Sequence, residues 1–318
     1  MPTTRQLRCS IALLLLAAAC RDQGGSGAAR GDTTQIARGG AGKEIVAVLP
    51  TRQGEFWHQF ESGLKEAADR GGYELRVELS NLDSERQRVL VDSIVAREPD
   101  ALLLVPLDGA AAAASVASAA AARIPVFTAG LEVPGGRAIS HIASDDAAGG
   151  EIAAEYLGTF LRGGGEVGIV GAPGSPADDA RAQGFQRALA TRRNLRLVAT
   201  VAGGGTRESA RAATEAMMTA NPQIDAIFVT SEAQTLGVLD ATRGRWQELV
   251  VVGYGFPPET EQAIVQETPI KAVIRESPRE MGIRAVQVIA EHLSNEGVPP
   301  RLTVGVRLMS AGNIAPDR

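Results

Sequence analysis

Arg52-Gln53-Gly54-Glu55-Phe56-Trp57 sets two large aromatic side chains beside a guanidinium, an amide and a carboxylate. Aromatic faces rimmed with polar groups suit a flat or sugar-like solute, which they cover while the rim fixes its orientation. That is the chemistry of binding rather than of bond breaking. A second reading stays open, in which Phe56 and Trp57 are core residues at the start of a helix. Only 4% of the chain is aromatic, which gives such a pair in a loop extra weight.

Signatures of catalysis are missing from the rest of the chain. There is no phosphate loop ending in Lys-Ser or Lys-Thr, no paired-histidine zinc helix and no serine elbow. Gly253-Tyr254-Gly255 lacks the third glycine of a dinucleotide fingerprint and has Pro258 there. Gly171-Ala172-Pro173-Gly174-Ser175-Pro176 follows a strand and reads as an anion cradle or as an ordinary turn. His58, His141 and His292 stand at no metal-ligand spacing; His141 reads as structural and His292 as a surface or boundary residue. The pairs Asp145-Asp146 and Asp178-Asp179 read as helix-start or solvated charges, without the partners that acid–base work requires. We therefore expect no enzyme, no cofactor and no metal.

At 318 residues, 44% hydrophobic and −5 net charge, the chain can bury one or two cores and has no basic surface for nucleic acid. Its N-terminus reads as an export signal: Arg5 and Arg8 precede the short apolar run Ile11–Leu16, then Ala17-Ala18-Ala19. Cys20 follows and is similar to the lipidated cysteine of a bacterial lipoprotein, with Leu16 one place further from it than in the commonest form. Ordinary cleavage after Ala19 is the alternative. Cys9 would leave with the signal, so the mature domain has no cysteine for a disulfide. Residues 1–20 are thus the expected lipoprotein signal peptide, and 21–43, rich in Gly, Ala, Ser and Thr, a flexible tether to a membrane.

The elements that must position the aromatic loop alternate between strand and helix. Ile45–Leu49 is a continuous apolar run of the kind that parallel sheets bury on both faces. Strands are expected at Tyr73–Leu79, Ala101–Val105, Ile124–Thr128, Ile139–Ala143, Glu166–Val170, Lys271–Arg275 and Thr303–Leu308, with helices between them. Ser277-Pro278 reads as a helix cap with proline in the first turn. This is an α/β chain of doubly wound parallel sheets, where ligands lie beyond the carboxyl ends of strands, as the loop after Leu49 does.

The pattern also repeats. Gly63-Leu64-Lys65-Glu66-Ala67 is echoed by Gly184-Phe185-Gln186-Arg187-Ala188, Asp100–Val105 by Asp225–Thr230, and Ile124–Gly130 by Leu249–Gly255. The offset is nearly constant (63 to 184, 100 to 225, 130 to 255), so one β/α unit is present twice, joined through Ser144-Asp145.

Ser140-His141-Ile142-Ala143-Ser144-Asp145 followed by Gly149-Gly150 resembles the hinge-entry motif of type I periplasmic solute-binding proteins of the ribose/galactose class. Ile124-Pro125-Val126, Arg181 with Gly184-Phe185-Gln186, and Val251-Val252-Gly253 are similar to the same family, over about residues 44–314. The resemblance implies two doubly wound lobes, 44–144 plus 277–303 and 145–276 plus 304–314. Hinge crossings would fall at Ser144, Asp145, Ser277 and Thr303, and a ligand would close the cleft.

Carried over by position, the family's stacking pair falls on Phe56 and Trp57. Its polar contacts fall on Gly130-Leu131, Asp179, Ser231, Gly255 and Glu276, none of which keeps the family's residue. Ribose itself is therefore disfavoured, because unpaired sugar hydroxyls cost about 1–3 kcal/mol each. Arg52, Gln53, Glu55, Phe56, Trp57, Leu131, Asp179, Ser231, Glu232, Gly255 and Glu276 form the expected ligand set, and Arg275 stands beside it. The implied function is an exported, lipid-anchored, monomeric receptor that delivers a sugar-like solute to an ABC permease. The alternatives are a sensor input for a chemoreceptor or kinase, and a secreted α/β enzyme.

Overall fold

A computed structural model of the chain describes residues 39–135, 137–244 and 249–314. Cys20, the signal segment and most of the tether lie outside the described residues.

The first sheet is built from β1 (Glu44–Leu49), β2 (Glu74–Leu79), β3 (Ala101–Leu104), β4 (Val126–Ala129), β5 (Ser140–Ser144) and β11 (Arg301–Val304), in the order β11-β5-β4-β3-β1-β2. All its pairings are parallel. Side chains alternate between the faces of a strand, and β1 shows the result. Ile45, Ala47 and Leu49 enter one cluster, with residues of α1 (Glu55–Gly71) and α9 (Pro278–Leu293). Val46 and Val48 enter another, with residues of α2 (Ser84–Val95) and α3 (Gly109–Ala121). A strand buried on both faces has no room for polar residues, which is why the run is uninterrupted.

The second sheet repeats the plan. It contains β6 (Gly165–Gly171), β7 (Leu195–Ala202), β8 (Ile224–Val229), β9 (Val250–Tyr254), β10 (Ile270–Arg275) and β12 (Arg307–Ser310), in the order β12-β10-β9-β8-β6-β7. Its helices are α4 (Asp146–Phe160), α5 (Pro176–Ala190), α6 (Arg207–Ala220), α7 (Glu232–Ala241) and α8 (Pro258–Val265). β12 runs antiparallel to β10. The stretch expected as one strand, Thr303–Leu308, is therefore two strands in two sheets. Val304 pairs with Ser144, Arg307 pairs with Arg275, and Gly305-Val306 makes the crossing. The crossing lies just past Thr303, because Thr303 itself is held in register opposite Ala143.

The repeat has a packing reason. A Cβ on Gly63 would lie 2.0 Å from the Arg279 carbonyl oxygen, and one on Gly184 would lie 2.0 Å from that of Ala147. In each half a glycine lets two helices touch backbone to backbone, α1 on α9 and α4 on α5.

Helix starts sit where polar caps can reach free amides. Asp145 accepts from the Ala148 N–H at 3.1 Å, and Asp83 and Asp108 cap α2 and α3 in the same way. Ser277 departs from the expectation: it occupies the N-cap place of α9, but its side chain makes no capping bond. Pro278 does take the first turn.

Candidate functional site

The loop after β1 and the start of α1 bring Phe56 and Trp57 into an edge-to-face pair with centroids 4.9 Å apart. Phe60, one turn on and fully buried, lies parallel to Phe56 at 6.5 Å and edge-on to Trp57 at 6.2 Å. The three rings, with Val105, Ala129 and Met281, line a cavity of about 290 Å³ that Glu276 shares. Phe56 and Trp57 are half-buried against the core of the first sheet and also wall this cavity.

The polar rim is rearranged. Arg52 does not stand free: its Nε donates to Glu61 Oε2 at 2.6 Å and its Nη2 to Oε1 at 2.9 Å. Lys65 adds a second cation to Glu61 at 2.7 Å. Burial works against the Glu61 charge, but the hydrogen bonds from Arg52 and Lys65 outweigh it and hold the carboxyl below the usual range. Glu61 is missed in the sequence because an acid within an amphipathic helix looks like any exposed helix residue, whereas in α1 it is buried. Gln53 is exposed, and Glu55, also exposed, accepts from Gln59 at 2.6 Å.

The floor between the sheets is a charge cluster. Arg181, buried in α5, donates from Nε to Asp146 at 2.7 Å, from Nη2 to Glu276 Oε1 at 3.0 Å and from Nη1 to the Thr230 carbonyl at 2.9 Å. Its guanidinium carbon sits 4.1 Å from the centre of the Tyr254 ring. Burial would lower the pKa of Arg181, yet the charges of Glu276 and Asp146 raise it further above its ordinary value. Burial likewise pushes the Asp146 carboxyl up, against the pull of Arg181. Asp146 does start α4, as its sequence position suggests, but it is an interior partner of Arg181 rather than a solvated charge. Asp178 is also buried, accepting from Ser175 at 2.7 Å and from the Thr230 hydroxyl.

The remaining expected residues divide between the two sides. Asp179 accepts from the Gly174 N–H at 3.2 Å, so it shapes its own loop. Ser231 holds the N-cap place of α7 without a side-chain capping bond. Gly255 has φ +83°, and a Cβ there would lie 2.4 Å from the Glu232 Cβ and 2.6 Å from its Oε2. Glu232 therefore leans over the glycine, and Gly255 is what admits it. Leu131 and Thr303 line a second cavity of about 350 Å³ with His141, Ser144, Asp145 and Ser175. Phe56 and Trp57 share their cavity with Glu276, but not with Asp179, Ser231, Glu232 or Gly255.

His141 is buried, its Nδ1 2.9 Å from the Thr128 hydroxyl, and burial with the charge of Arg301 lowers its pKa. Its Nε2 has no partner among the described residues. His292 packs edge-on against Phe127 at 5.7 Å. Among the described residues, no group of three or more His, Cys, Asp and Glu side chains is placed to hold a metal ion.

Two six-stranded α/β units, three crossings between them, and a cavity with aromatic walls beside the crossings define a two-lobed solute-binding protein. The family model described as periplasmic binding protein domain matches residues 45–297, and the chain belongs to that family. The ribose import binding protein of Salmonella typhimurium is 30% identical over 268 residues, 83% of this chain and 90% of the relative. The D-ribose/D-allose-binding protein of Pseudomonas aeruginosa is 27% identical over 223 residues, covering 66% and 70%. A periplasmic ribose ABC transporter structure from Conexibacter woesei superposes with a TM-score of 0.82 at 23% identity, over 87% of this chain and 95% of that one.

Proposed function

We propose that the chain is an exported, lipid-anchored and monomeric receptor. It captures a small sugar-like solute between its lobes and presents it to an ABC permease. The observation that carries this reading is the cavity walled by Phe56, Trp57 and Phe60 and edged by Glu276, a residue of the crossing between sheets. Relatives named for ribose import support the class of solute and the transport role, and they are binding proteins rather than enzymes.

In this reading residues 1–20 are the signal peptide, Cys20 the anchor and 21–43 the tether. The lobes are 44–144 plus 277–303 and 145–276 plus 304–314, with the hinge at Ser144-Asp145, Glu276-Ser277 and just past Thr303. Phe56 and Trp57 stack on the solute, and Ser231, Glu232 and Glu276 orient it. Arg52 acts at one remove, by holding Glu61 and the start of α1.

Thermal shift of the purified chain against sugars, polyols, nucleosides and amines tests the proposal. A ligand that binds only the folded form at a hundredfold excess over Kd stabilises it by about 2.7 kcal/mol. A shift from one compound class, abolished by Trp57→Ala, is the expected result. A well-folded protein that no solute stabilises would sink the proposal.

A further inference from the structure

The aromatic cavity has few groups with which to satisfy a neutral sugar. Apart from the Trp57 indole N–H, its lining side chains offer no hydrogen-bond donor, and the acceptor is the Glu276 carboxylate. A neutral polyol needs both in number, because each buried hydroxyl left unpaired is penalised. Aromatic faces and a carboxylate share one preference: both attract positive charge.

The charges around the cleft point the same way. Arg52 is spent on Glu61, Arg301 on Glu132, and Arg181 on Asp146 and Glu276 together. Arg275 lies over the Phe256 ring at 5.4 Å and, with Arg279 and Arg307, lines a second groove beside the hinge, which Glu276 also borders. Arg181 thus serves two carboxylates with one charge. Glu232 adds a third across the floor, and no cation pairs with it among the described residues. Burial and the nearby charge of Glu276 push the Glu232 carboxyl up, as expected of a carboxylate that lacks a counter-ion. Among the described residues the bonds to Glu276 from Ser144 and Arg181 both fall on Oε1, and none falls on Oε2.

We propose that the solute selected by this cleft carries a positive charge, an ammonium on a small polyhydroxylated frame, held against Phe56 and Trp57 by Glu276 and Glu232. The inference rests on the receptor reading above and narrows its solute class. Lobe closure would bring Glu232 towards the aromatic wall, and the incoming cation would supply the counter-ion that Glu232 lacks among the described residues.

The test is calorimetric titration of the full chain with three matched compounds at pH 7: an amino-alditol, the neutral alditol and the N-acetylated amino-alditol. The ammonium compound is expected to bind at least about tenfold more tightly than either neutral one. Glu232→Gln should remove that preference while leaving the protein folded by circular dichroism. Trp57→Ala should weaken every compound that binds. Equal or tighter binding of the neutral alditol overturns the inference and leaves the receptor reading intact. No binding by any of the three, nor by the wider solute panel, overturns both.

Discussion

The Ser144 hydroxyl donates to Glu276 Oε1 at 3.0 Å, joining the end of a first-sheet strand to the end of a second-sheet strand 132 residues away. Arg181 Nη2 reaches the same oxygen at 3.0 Å. The Asp145 N–H donates to the Val304 carbonyl at 2.9 Å, so all three crossings are joined within a few residues. Glu276 also borders the aromatic cavity, so a solute bound there as proposed would touch a residue of the crossing itself.

Arg181→Gln should expose what this cluster contributes to stability. Removing one partner of a buried ion pair strands the others and costs about 3–5 kcal/mol. Urea denaturation followed by circular dichroism measures the loss. A change smaller than about 0.5 kcal/mol would show that Asp146 and Glu276 are satisfied without the arginine.

Trp57→Ala should cost about 2 kcal/mol or more in solute binding, as expected of a central aromatic anchor. Because Trp57 is only half-buried, the unliganded fold should survive the change. Calorimetry on the bound form and melting of the free form separate the two effects. Unchanged affinity would move the ligand away from the loop.

Gly184→Ala adds a methyl group that has a backbone oxygen 2.0 Å away. The two helices must part, and overpacking of this kind costs about 1–3 kcal/mol. A variant as stable as the parent, by thermal melting, would contradict the close helix contact.

His141 predicts a pH dependence. Burial and then Arg301 lower its folded-state pKa below the ordinary value of 6.5. In acid the unfolded chain takes up that proton before the folded chain does. Its stabilising contribution is therefore complete above pH 6.5 and is lost as the pH falls through the folded-state value. Melting temperature should decline below pH 6.5, and His141→Gln should flatten the decline. A slope identical in the two proteins would assign the acid sensitivity elsewhere.

Cys20→Ala tests the anchor. The parent should partition with membranes and incorporate labelled fatty acid, and the variant should do neither. Identical fractionation of the two would favour simple cleavage after Ala19.

Much of the architecture is legible along the chain, because strand and helix signals act within short windows. The apolar run Ile45–Leu49 announces a strand buried on both faces, and its side chains do divide between two cores. The echo of Gly63 in Gly184 announces two copies of one unit, each with a helix contact that excludes a side chain. The aromatic loop is legible for the same reason, as Phe56 and Trp57 are neighbours whose residue types alone suggest a wall.

Which charges meet is another matter. Arg52 looks like a ligand contact until α1 turns Glu61 towards it. Asp146 reads as a helix-start charge and Glu276 as a ligand contact, and nothing in the sequence links the two until Arg181 is laid between them. Thr303–Leu308 looks like one strand until the sheets claim its two ends in opposite pairings. Backbone conformation follows from neighbours a few residues apart. Electrostatic partnership depends on which strand ends the crossings bring side by side, and only the folded chain holds that distance information.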